Sequence, residues 1–143
     1  MDKKDEKILE LLKEDSRLTS QQISKKTLIP ITTIHNRLKK LRQTGIIKKY
    51  SVVLDNKKVG RPISAFVHIA VDYRFGKQSQ VDLAKKIYSR DVVEDVCIIT
   101  GDYDVMVKIR VKDMDELNGF VVEYLRMIEG IERTKTSVIM HEV

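Results

Sequence analysis

The chain of 143 residues has a single cysteine, Cys97, which rules out a disulfide within the chain and makes a cytoplasmic setting the natural expectation. No apolar run approaches the roughly 18 residues needed to span a bilayer, so no membrane segment is expected. The leading MDKKDEKILELLKED is charged and helix-periodic, unlike a secretory signal. No Cys/His spacing suits zinc, and neither a GxGxxG turn nor a phosphate loop is present. His35, His68 and His141 are scattered rather than convergent, and Cys97 in VCII reads as inert core. The expectation is no enzyme, no metal and no cofactor. The most informative absence is acidic: between Asp15 and Asp55 lie 39 residues whose only charges are cations. A merely solvated helix normally mixes signs at (i, i+4) spacing.

What is present is a folded composition, 42% hydrophobic and 34% charged. The net charge of +6 is unevenly held. Residues 1–61 carry 16 Lys and Arg against 7 Asp and Glu, and residues 62–143 carry 11 against 14. A basic block points to a polyanion, either nucleic acid or an acidic membrane surface. A solvated charged surface with no partner is the bland alternative.

Periodicity divides the chain. A first helix is expected over 3–14, capped by Asp2, with Ile8, Leu11 and Leu12 on one stripe. Thr19-x-x-Gln22 is a capping box opening a short helix over 20–27. A third helix spans 31–44, with Ile31, Ile34, Leu38 and Leu41 inward and Gly45 as C-cap. IIKKYSVVLD, residues 46–55, reads as a strand, and DNKKVGRP, residues 55–62, as a linker. The chain is thus expected as 1–54, a linker 55–62, and 63–143.

Three short helices with a tight connection suggest a helix-turn-helix, whose third helix lays one face in the DNA major groove. Opposite the apolar face lie Thr32, Asn36, Lys39 and Gln43, flanked by Thr33, His35 and Lys40. Small hydrogen-bonding groups come first and cations later. Asn36 can bond adenine bidentately, and Thr32 or Thr33 can touch a thymine methyl. Lys39, Lys40, Arg42, Lys48 and Lys49 are the expected phosphate contacts, and Arg37 on the third helix with Gln21 and Gln22 on the second complete the expected DNA-binding residues.

Beyond residue 62 the expected order is β-α-β-β-α-β. The strands are 64–73, 93–100, 103–112 and 132–142, and the helices run over 80–90 and from Asp113 to about Gly130. YDVMVKIRVK alternates strictly, with Val105, Val107, Ile109 and Val111 against Met106, Lys108, Arg110 and Lys112. A ferredoxin-like antiparallel sheet with two helices on one face satisfies this order. The class is α+β. The mixed character of the other sheet face suggests pairing with a second copy.

DEKILELLKEDSRLTSQQIS, TTIHNRLKKLRQTGIIKKYSVVLD and TGDYDVMVKIRVKD, in this order and spacing, resemble the Lrp/AsnC (feast/famine) family of prokaryotic transcription regulators over essentially the whole chain. The resemblance implies a winged-type helix-turn-helix joined to a βαββαβ domain. It also implies homodimers that associate further, often to octamers, and an amino-acid effector held between them. Two departures stand out. Where the family has a turn glycine and a Ser-Pro before the third helix, this chain has Leu28, Pro30 and Ile31. A positive φ without glycine is costly, and either Thr32 or Thr33 is left to cap the helix rather than read DNA.

Gly101-Asp102-Tyr103-Asp104 reads on its own as a tight hairpin. The resemblance makes this loop the lining of an effector pocket, where loop N–H groups hold an α-carboxylate and an Asp an α-ammonium. Thr134, Thr136 and Ser137 are candidates from a neighbouring subunit. Two functions compete: a sequence-specific transcription regulator binding double-stranded DNA, and a weakly specific architectural protein that coats DNA by charge.

Overall fold

The computed structural model describes residues 1–72, 74 and 76–142, which divide into two compact units, Met1–Val53 and Leu54–Val143. The first unit contains α1 (Lys3–Glu14), α2 (Ser20–Thr27) and α3 (Ile31–Gln43). Asp2 accepts from the N–H groups of Lys4 and Asp5, and Asp5 reaches back to the Asp2 N–H. At α2 the reciprocal cap forms: Gln22 N–H donates to Thr19 Oγ1 at 3.2 Å and Thr19 N–H to Gln22 Oε1 at 2.8 Å. An eight-residue helix is marginal alone. Here Ile23 is buried among Ile8, Leu12, Ile29, Ile34, Leu38 and Leu41. Ser24 Oγ and Thr27 Oγ1 donate to the carbonyls of Ile29 and Ile23, holding the end of α2 down.

The turn into α3 carries the expected cost. Leu28 takes φ 58° and ψ 19°, the one positive φ outside glycine among the described residues. Its N–H closes α2 on the Ser24 carbonyl. The expectation that Thr32 or Thr33 caps α3 is not met. Pro30 occupies the cap position, α3 has no side-chain cap, and both threonines lie inside its first turn. Proline suits this place because its fixed φ leads into a helix and its missing N–H would have been unpaired anyway. Gly45 follows α3 with φ 73°.

The strand expected at 46–55 is also corrected. Past Gly45 the chain is irregular, and Val52 is largely and Val53 fully open to solvent. β-branched residues favour a strand only where a neighbour completes the ladder, and no described residue of this unit pairs with them. The segment 55–62, expected as a linker, winds into turns through Val59 N–H to Asp55 O and Arg61 N–H to Asn56 O.

In the second unit β1 (Ile63–Val71), β2 (Val93–Ile98), β3 (Val105–Val111) and β4 (Ile131–Val138) form an antiparallel sheet in the order β2-β3-β1-β4. α4 (Gly76–Tyr88) packs on β2 and α5 (Met114–Asn118) on β3. The second helical run is not one regular helix. Beyond α5 it widens into a π turn, Gly119–Tyr124, and tightens into a 3-10 turn, Leu125–Met127. Ala65, Val67, Ile69, Val105, Val107, Ile109 and Val111 point into the core with Leu83, Ile87, Leu117, Phe120, Leu125 and Ile128. The alternation read from YDVMVKIRVK therefore holds. β4 ends earlier than expected: Ile139 N–H still donates to Ser64 O, but Glu142 folds onto Arg110. Tyr73, expected at the end of the first strand, lies outside the described residues.

Candidate nucleic-acid interface and ligand loop

The first unit presents one outward face of α3. Thr32, His35, Asn36, Lys39, Lys40 and Arg42 are exposed, and Thr33 is half-buried at its edge. This follows from helical geometry, since Ile34, Leu38 and Leu41 occupy the opposite stripe. Gln21, Lys48 and Lys49 are exposed too. Gln22 spends its carbonyl oxygen on the α2 cap. Lys25 and Lys26, also exposed, extend the basic surface at the end of α2. They were legible in the same acid-free stretch.

Arg37 is placed differently from the expectation. Its Nη1 lies 2.8 Å from carboxylate oxygens of both Asp2 and Asp5, so it braces α3 against the start of α1 instead of standing free for DNA. The guanidinium holds both carboxyls below the usual carboxylate range; at Asp2 the Asp5 backbone N–H contributes most. At the end of α1, Arg17 pairs with Asp15 and pulls its carboxyl down to about 2. The three carboxylates Asp2, Asp5 and Asp15 near the ends of α1 are thus committed to Arg37 and Arg17, while among the described residues Lys25, Lys26, Lys39 and Lys40 form no ion pair.

In the second unit the loop after β2 contains Gly101 with φ 119°. Asp104 is buried, its Oδ2 accepting from Val71 N–H at 2.8 Å and its Oδ1 from Gln80 Nε2 at 3.4 Å. Tyr103 packs on His68 at 5.5 Å between ring centroids, under the Arg133 guanidinium at 5.0 Å. Arg133 also donates to the Asp102 carbonyl. The register sets Thr134 opposite Ile69 and Thr136 opposite Val67, on the helix side of β4, and Ser137 opposite Phe66 on the other face. The three candidates on β4 therefore do not share one face.

That other face is uncovered by helices. It bears Ser64, Phe66 and His68 of β1, Met106, Lys108 and Arg110 of β3, and Cys97 of β2. Cys97 is half-buried there opposite Met106, so its expected place in the core is corrected. Arg110 is buried beneath Glu94 and Glu142, with Lys108 reaching both carboxylates. Arg110 holds the Glu142 carboxyl below its ordinary range. Among the described residues no group of His, Cys, Asp and Glu could hold a metal, and no helix is long and apolar enough to cross a membrane.

Comparison with known proteins agrees with this geometry. Residues 1–48 match the family described as winged helix-turn-helix DNA-binding, and residues 64–143 the Lrp/AsnC ligand binding domain. The HTH-type transcriptional regulator FL11 of Pyrococcus furiosus is 40% identical over 140 residues, covering 98% of this chain and 89% of its own. A Neisseria meningitidis transcriptional regulator solved as an L-Met complex aligns with TM-score 0.91 at 26% identity, over 100% of this chain and 92% of that one. AsnC of E. coli aligns with TM-score 0.86 at 25% identity, over 99% and 93%. The basic helix-turn-helix, the βαββαβ sheet and these matches across both units establish that the chain belongs to the Lrp/AsnC family of transcription regulators.

Proposed function

We propose that the protein binds a specific DNA sequence as a homo-oligomer in the cytoplasm and that an amino acid modulates this binding. The observation that carries the reading is the outward face of α3, where Thr32, Thr33 and Asn36 precede Lys39, Lys40 and Arg42 with no acidic residue among them. The first group reads base edges and the second holds phosphates, joined by Gln21, Lys48 and Lys49. His35 stands at the same surface. Residues 1–54 act as the DNA-binding domain and 63–143 as the assembly and effector domain. The uncovered sheet face, with Phe66, His68 and Met106 ringed by charge, suits pairing with a second copy, and dimers of this kind associate further, up to an octamer. An α-amino acid suits the loop at Gly101, Asp102, Tyr103 and Asp104, with either Thr134 and Thr136 from one face of β4 or Ser137 from the other contributed by a neighbour; the Neisseria relative solved with L-Met supports that class of ligand.

Selection of bound duplexes from a random pool, with and without pooled amino acids, tests the reading. The expected result is a palindromic motif bound at least about 10³-fold more tightly than random DNA, with recovery altered by at least one amino acid. Equal affinity for all duplexes would establish the charge-driven coating protein instead.

A further inference from the structure

Leu28 combines two features that do not fit a role in the fold. Its backbone is left-handed, with φ 58°, where a Cβ crowds the chain and glycine or asparagine is at home. The residue is 91% exposed. The turn needs only the Leu28 backbone, whose N–H closes α2 on Ser24 O. A leucine here adds strain and buries almost nothing within the unit, so what its side chain gains must lie outside the unit. Strain kept at an exposed site points to function there.

Its surroundings name the occupant. Leu28 sits between the last turn of α2, with Lys25 and Lys26, and the first turn of α3, where Ile31 is 47% exposed beside Thr32. Two apolar side chains thus flank the N-terminal end of the recognition helix, the part that approaches base edges in a helix-turn-helix. No carboxylate occurs from residue 16 to residue 54, so the apolar pair is set in a surface that attracts a polyanion and repels a basic protein. On duplex DNA the apolar feature of the major groove is the thymine C5-methyl group.

We propose that Leu28, with Ile31 beside it, is a specificity-determining residue that packs on a thymine methyl at one position of the bound site. The inference rests on the sequence-specific reading above. Leucine at this turn trades fold stability for a base contact, so stability and recognition move in opposite directions when it is removed.

The test runs the random-duplex selection in parallel with wild type and Leu28→Gly, then replaces each selected thymine singly by deoxyuridine. Wild type is expected to lose about fourfold in affinity at one thymine, the worth of one buried methyl group. Leu28→Gly is expected to bind thymine and deoxyuridine alike at that position, to keep the rest of the motif, and to melt at a higher temperature than wild type. Leu28→Asn, which tolerates the same backbone, should behave like Leu28→Gly. Equal motifs and equal deoxyuridine losses in wild type and both variants would overturn the inference while leaving sequence-specific binding intact. Absence of any motif for wild type would overturn the sequence-specific reading and this inference with it.

Discussion

Arg37 of the recognition helix and Asp5 of α1 are joined at 2.8 Å, with the same guanidinium nitrogen bonding Asp2. The N-cap of one helix is thereby tied to the middle of another. Arg37→Ala should lower the melting temperature of the first unit by a few degrees at neutral pH, and thermal unfolding followed by circular dichroism reads this. Both carboxyls are held below the usual 3.8, so their contribution is present above that pH and is lost as pH falls through the lowered values. The gap between wild type and Arg37→Ala should therefore narrow in strong acid. A gap that is constant with pH would mean that the side chain acts by packing rather than by pairing.

Lys39 and Asn36 share the outward face of α3 but should act differently. Lys39→Ala should weaken binding to all sequences alike and lower the slope of log affinity against log salt by about one per contact. Asn36→Ala should relax the preference at one base position, a loss of about 1–3 kcal/mol against the matched base, and leave the slope unchanged. Competition binding at several salt concentrations separates the two. A reversed pattern would exchange the two roles.

Helix positions in the first unit were legible because their signals are local. Asp2 and Thr19 with Gln22 mark helix starts through bonds within three residues, and Ile34, Leu38 and Leu41 mark one stripe. The β-branched run at 46–55 misled because strand formation depends on a neighbour that sequence adjacency does not supply. Arg37 was read as a free cation because its partners, Asp2 and Asp5, are more than thirty residues away. Cys97 was read as core because its neighbours are apolar, whereas strand alternation places it on the uncovered face. The four strands and their order in the chain were legible, as was the alternation that sets Ser137 opposite Thr134 and Thr136 on β4, but which of those two faces the helices cover was not.

Arg110 and Glu142 hold the C-terminal segment on the uncovered sheet face. The guanidinium bonds Glu142 through two nitrogens at 3.0–3.1 Å and also bonds Glu94. Arg110→Ala leaves those carboxylates with Lys108 among the described residues and should lower the denaturation midpoint only modestly, because Glu142 is half exposed to solvent. Chemical denaturation of wild type and variant measures this. Because Arg110 lowers the Glu142 carboxyl, the cost should be present above the ordinary glutamate range and shrink as pH falls through the lowered value. An unchanged midpoint would place the ion pairs among those that contribute nothing measurable.

Asp104 offers a way to separate folding from ligand capture. Its carboxylate accepts the Val71 N–H at 2.8 Å, so Asp104→Ala would leave a buried donor unpaired and lower stability whatever its role in binding. Asp104→Asn keeps an oxygen acceptor for Val71 and removes the negative charge. If the carboxylate holds an α-ammonium group, the asparagine variant should fold with a melting temperature within a few degrees of wild type yet lose at least tenfold in affinity for the amino acid identified by selection. The same loss appears in melting. Amino acid at about 100 times Kd should stabilise wild type by about 2.7 kcal/mol, and at that concentration should stabilise the variant measurably less. Calorimetric titration gives the affinity directly. A variant that binds the amino acid as wild type does would assign Asp104 to the loop's own architecture, and the ammonium to another acceptor.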